Sequence, residues 1–78
     1  MATRKLTDGQ MERLGAAIKA NRTDAGMSQA ELSRSAGMSD ASICEIEKAR
    51  SGASLGSLVR IAGALGVEAS DILYDAAL

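Results

Sequence analysis

Gly26, Gly37 and Gly66 cut this chain into short segments, and the first two are each followed two residues later by a serine, Ser28 and Ser39. Glycine closes helices because it enters the left-handed region without a Cβ penalty, and serine opens them by accepting a bond from an orphan backbone N–H. The punctuation therefore predicts a succession of short helices. Thr7 or Asp8 can cap a first helix running to about Ala25, with Met11, Leu14 and Ile18 on one face. Ser28-Gln29-Ala30-Glu31 has the form of a capping box and opens a second helix, which keeps Leu32 and Ala36 inward and stops at Gly37. Ser39 caps a third, with Ile43 and Ile46 as its apolar edge. After a loop from Lys48 to Ala53, Ser54 opens a fourth helix that is expected to carry Leu55, Leu58, Val59, Ala62 and Leu65 on one face and to end at Gly66. A short last helix from Ser70 would carry Ile72, Leu73 and the tail Ala76, Ala77 and Leu78.

Composition narrows what such helices can build. Proline is absent and Tyr74 is the single aromatic residue, so the core must be aliphatic, with small gaps between helices, and a sandwich or barrel is disfavoured. The length suits one domain with no separate sensor. Cys44 is the lone cysteine and there is no histidine, which leaves neither a disulfide nor a zinc site within the chain, and no cofactor is expected. No nucleophile–base pair can be assembled either, so the chain is not read as an enzyme. Without a signal core or a membrane-length apolar run it is expected in the cytoplasm. The formal net charge is −1 but polarised: residues 1–22 hold five basic and two acidic residues, whereas residues 51–78 hold one basic and three acidic.

Two short helices joined by a glycine turn form a helix-turn-helix. Leu32, Ile43 and Ile46 would lock the pair at its crossing, Ser33 is small enough for close approach, and Gly37 supplies the positive φ of the turn. Ala41, Cys44, Glu45 and Lys48 then share the outer face of the third helix. The stretches LGAAIKANRTDAGMSQAEL, AGMSDASICEIEKAR and LVRIAGALGVEASDIL, spanning Leu14 to Leu73, resemble the Cro/cI-type (XRE) helix-turn-helix family of transcriptional regulators, and are similar to short phage repressors and restriction–modification controller proteins.

That resemblance implies an all-α, compact five-helix lambda-repressor-like domain over residues 1–78, with an arm at 1–6, the helix-turn-helix at about 28–48 and a dimerisation segment at 66–78. It implies a homodimer that binds double-stranded DNA through the major groove of a pseudo-palindromic operator, at the nucleoid of a prokaryotic cell. Ser28 and Gln29 would bond phosphates at the second helix N-terminus. Asp40, Ala41 and Glu45 fall at base-reading positions, with Ser39, Ser42, Lys48 and Arg50 as backbone or edge contacts and Arg34 as a further phosphate contact. Arg22 and Glu47 match an internal salt bridge, and Ile72, Leu73, Tyr74 and Leu78 would form the dimer interface. Arg4 and Lys5 could extend the contact to neighbouring DNA, and Cys44 reads as an unreactive small residue.

The departures from the family pattern are Ala49, where glycine is common, and Ala53, where proline is common, so the loop after the third helix is expected to differ in shape. Residues 28–50 carry three basic against four acidic residues, which predicts modest, salt-sensitive non-specific affinity. The same acidity supports an alternative, a protein-interaction module of antitoxin-like or DNA-mimic type on a helix-turn-helix scaffold.

Overall fold

The computed structural model describes residues 6–78. They form five helices, α1 (Asp8–Asp24), α2 (Gln29–Ala36), α3 (Asp40–Glu47), α4 (Leu55–Leu65) and α5 (Ala69–Asp75), with no strand among the described residues. Arg4 and Lys5 of the expected basic arm lie outside the described residues.

Side-chain chemistry sets the helix boundaries. Thr7 and Gln10 form a capping box on α1, and Ser28 and Glu31 form one on α2. Ser39 and Ser54 cap α3 and α4 by accepting from the backbone N–H of Ser42 and Ser57. Gly37 ends α2 at φ 67° and Gly66 ends α4 at φ 74°. Gly26, at φ 70°, follows the α1 C-cap Ala25. Each of these groups satisfies backbone donors or acceptors that a helix end leaves orphaned, so the element limits are encoded locally.

The core is aliphatic. Leu14, Ala17 and Ile18 of α1, Leu32 and Ala36 of α2, Ile43 and Ile46 of α3, Leu58, Ile61 and Ala62 of α4, and Ile72 and Ala76 at the C-terminal end pack into one cluster. Leu55 and Val59 are 74% and 55% exposed, not part of the core face of α4. The buried stripe of that helix runs through Leu58, Ile61 and Ala62, with Leu65 half-buried; the α-helical period carries Val59 onto its flank, and Leu55 is the first residue of the helix, at its exposed end. Ile72, assigned to a dimer interface, is 0% exposed and fills the core instead, because α5 lies across α1 and α4 with that side chain inward. Arg13 ties α5 in place by donating from Nε to the Ala76 carbonyl at 3.0 Å, and Asn21 Nδ2 donates to Asp75 Oδ2 at 3.1 Å.

One close approach decides where α3 sits. A Cβ at position 15 would stand 2.5 Å from the carbonyl oxygen of Ile46 and 2.9 Å from that of Glu47. Only a residue without a side chain lets the last turn of α3 lie directly on α1. Gly63, by contrast, is an exposed helical glycine whose added Cβ would meet nothing within 4 Å. Gly15→Ala is expected to lose about 1–3 kcal/mol of stability through overpacking against backbone. Gly63→Ala should gain about 0.5–1 kcal/mol from helix propensity. Urea unfolding of the two variants checks the opposite signs, and a stabilised Gly15→Ala protein would refute the close crossing.

Candidate nucleic-acid interface

The helix-turn-helix is assembled from α2, the turn at Gly37 and α3. Leu32 and Ile43 are both fully buried at the crossing, and Ile46 nearly so. The turn is closed by Met38 N–H donating to the Ser33 carbonyl at 2.8 Å and Gly37 N–H to that of Arg34 at 3.2 Å. This paired bonding closes the turn between the two helices and leaves the outer face of α3 free.

Glu47 anchors the far end of α3. Its side chain is only 2% exposed, and Arg22 of α1 grips it with two parallel bonds, Nε to Oε2 at 2.7 Å and Nη2 to Oε1 at 3.0 Å. Gln29 Nε2, at the start of α2, donates to the same Oε1 at 3.1 Å. Arg22 Nη1 also donates to the Met27 carbonyl at 2.8 Å, so one carboxylate and one guanidinium join α1, the α1–α2 turn, α2 and α3. Hydrogen bonding to Glu47 holds the Arg22 guanidinium above its ordinary pKa, against a smaller opposing effect of burial. The fork geometry is the strong form of an arginine–carboxylate bond.

The residues expected to meet DNA are distributed around this frame. Ser28 Oγ accepts from Glu31 N–H at 3.0 Å, and its hydroxyl is turned toward the Glu31 carboxylate. Gln29 is half-buried, its amide engaged by Glu47. Its sequence-assigned phosphate contact would use the second amide hydrogen. Bonds from the Ser28 backbone and hydroxyl pull the Glu31 carboxyl below its usual range. Arg34 is exposed on α2. The Ser39 and Ser42 hydroxyls bond each other at 2.8 Å over the start of α3. Ala41 and Lys48 are exposed, and the half-buried Cys44 lies beside them. Ala41, Ser42 and Glu45 form one wall of a shallow groove whose opposite wall is Ser51, Gly52 and Ser57.

The acidic residues of this region are engaged within the protein. Besides Glu31 and Glu47, Asp40 accepts from the Ser33 hydroxyl across the turn. Glu45 stands 3.9 Å from Arg50, with the Glu45 side chain half-buried and that of Arg50 exposed. Sequence reasoning took Ser33 only as a small residue and missed its bond. A buried hydroxyl always needs a partner, and that requirement was the available signal.

Ala49 itself adopts the left-handed conformation, at φ 60°, with Ala49 N–H bonded to the Ile46 carbonyl at 3.1 Å and Arg50 N–H to that of Glu45 at 2.9 Å. That conformation favours glycine, and Ala49 adopts it at the steric cost of a Cβ.

Two short helices locked across a glycine turn, with the second presenting an open outer face on a buried ionic anchor, define a helix-turn-helix DNA-binding protein. Residues 18–72 match the helix-turn-helix family. Among solved structures, the chain is similar to the clp gene regulator ClgR from Corynebacterium glutamicum, at 34% identity and a TM-score of 0.82, over 87% of this chain and 88% of that one. It also resembles the restriction–modification controller C.AhdI from Aeromonas hydrophila, at 24% identity and TM-score 0.78, over 80% of this chain and 94% of that one. The controller C.Esp1396I aligns at 22% identity and TM-score 0.80, over 87% of each chain. No match was found among curated proteins. The chain belongs to the XRE-type helix-turn-helix family, whose members bind DNA and regulate transcription.

Two variants test the frame. Glu47→Ala leaves the Arg22 guanidinium without its partner and should cost about 3–5 kcal/mol, whereas Glu45→Ala breaks only an exposed pair and should cost under about 1 kcal/mol. Equal, small losses in denaturant unfolding would show that Glu47 anchors nothing. Separately, Ala49→Gly should raise stability by about 1 kcal/mol by relieving the left-handed strain. A lowered melting temperature would contradict that backbone geometry.

Proposed function

We propose that this protein is a repressor- or controller-type regulator that reads a pseudo-palindromic operator as a homodimer, with α3 of each protomer in the major groove. The observation that carries the reading is the outer face of α3, on which Ala41, Glu45 and Lys48 stand clear of a crossing held rigid by Leu32, Ile43 and the buried Glu47. Ala41 offers a surface to a thymine methyl, and Glu45 can accept from cytosine N4. Ser28, Gln29, Ser39 and Ser42 sit at helix N-termini, where backbone N–H groups and hydroxyls suit phosphates, and Arg34, Lys48 and Arg50 supply the cationic contacts. The similarity to gene regulators supports control of transcription as the outcome.

A domain of this size needs a second copy to read a site longer than one half-site. The dimer face proposed is the exposed end of α5, where Leu73, Tyr74 and Leu78 line a shallow recess and Tyr74 is 85% exposed. Ile72 has no surface to contribute.

Selection of genomic fragments by the purified protein at low and moderate salt, followed by footprinting, tests the whole reading. The expected result is a short inverted repeat with half-sites one helical turn apart, roughly 34 Å. With Glu45→Gln, the preference should change at one base pair of each half-site; uniform tightening on all DNA would remove Glu45 from the reading set. If no fragment is retained even at low salt, the DNA reading fails and the acidic α3 becomes a surface for a basic protein partner.

A further inference from the structure

Asp40 is the first residue of α3, at the point of the helix-turn-helix that approaches DNA. A carboxylate there repels phosphate, and its place in the sequence suggested a base contact. The structure points to a different use. Ser33, in the middle of α2, is 2% exposed, and its hydroxyl meets two acceptors, the Ala30 carbonyl at 3.0 Å and Asp40 Oδ1. A hydroxyl has one proton to give, and the bond to an ionised acceptor is the stronger of the two. The Asp40 side chain is thereby turned back across the Gly37–Ser39 turn onto α2, while its charge rests in the favourable field of the α3 N-terminus.

We infer that Asp40 is a positioning residue which, clasped by Ser33, sets the angle at which α3 leaves α2, and that base reading by this helix falls to Ala41 and Glu45. The inference rests on the DNA-reading function proposed above. It accounts for an acidic residue at the groove-facing end of α3: the carboxylate serves as a hydrogen-bond acceptor within the protein, the turn bonds fix the backbone, and the clasp fixes the helix pair through side chains. Two independent features converge on it, the burial of Ser33 with its hydroxyl directed at α3 and the location of Asp40 one residue past the N-cap.

The test has two arms, both on the full chain. Without DNA, urea unfolding of Ser33→Ala, Asp40→Ala and the double variant forms a thermodynamic cycle. The clasp predicts that each single change lowers the unfolding midpoint and that the double variant falls no further than the worse of the two. Additive losses would overturn it. Asp40→Asn keeps an acceptor oxygen without the charge and should lower the midpoint less than Asp40→Ala does, so a general folding defect at position 40 is separated from loss of the clasp. With DNA, Asp40→Asn should keep the base preference at every position of the half-site while tightening binding to all fragments at low salt. Ser33→Ala should weaken binding to the selected half-site by about fivefold, as expected for loss of one interaction, with its non-specific affinity unchanged. A shift of preference at a single base pair in Asp40→Asn would make Asp40 a base reader and overturn the inference. If the unaltered protein shows no sequence preference, the DNA reading itself fails, and the unfolding cycle still decides the clasp.

Discussion

The buried carboxylate of Glu47 is the constraint on which this small protein turns. Three donors from two other helices converge on its two oxygens, and they order α3 relative to α1 and to the start of α2. A buried ion pair contributes little net stability compared with well-packed apolar groups, because desolvation offsets most of the attraction. Its effect is on uniqueness: the two charges can be buried only with this partner, in this register. Gly15 makes the arrangement possible by letting the α3 carbonyls beside Glu47 rest on the α1 backbone. Ionic anchor and missing side chain work as one joint, and the outward face of α3 inherits its position from both.

Much of the fold was legible in the sequence because its boundaries are local chemistry. Ser28, Ser39 and Ser54 cap the helices they were expected to cap, and Gly37 and Gly66 end the helices they were expected to end. What was not legible depends on the third dimension. Leu55 and Val59 share the apolar character of Leu58, and only the direction in which α2 packs on α4 decides that they stay outside. Ile72 belongs to an aliphatic tail whose members look alike until α5 folds over α1 and sorts Ile72 inward and Tyr74 outward. Gly15 could have been noticed, since glycine inside a helical run weakens it unless close packing demands it.

The acidic balance of the helix-turn-helix, which argued against a DNA reader, has a physical explanation in how each carboxylate is used. Glu31 closes a capping box, Glu47 is buried under an arginine, Asp40 bonds a neighbouring helix, and Glu45 is flanked by Arg50. Sequence sums treat all charges as equally free to act at a distance. Here the acids have short-range work to do, while Arg34 and Lys48 form no ion pair among the described residues. Under the proposed DNA reading, those cationic side chains would be available to phosphates.

The bonds from Arg13 to the Ala76 carbonyl and from Asn21 to Asp75 hold the last helix by residues 63 and 54 positions away in sequence. The turn between α2 and α3, in contrast, is closed by bonds spanning only a few residues. Local opening therefore has a direction. Backbone amides of α5 should exchange with solvent through an opening separate from that of the helix-turn-helix, because this seven-residue element packs chiefly on α1 and α4. Each such opening would bare Ile72. A second copy seated against Tyr74 and Leu78 would suppress it, so association at the tail would also seal the core.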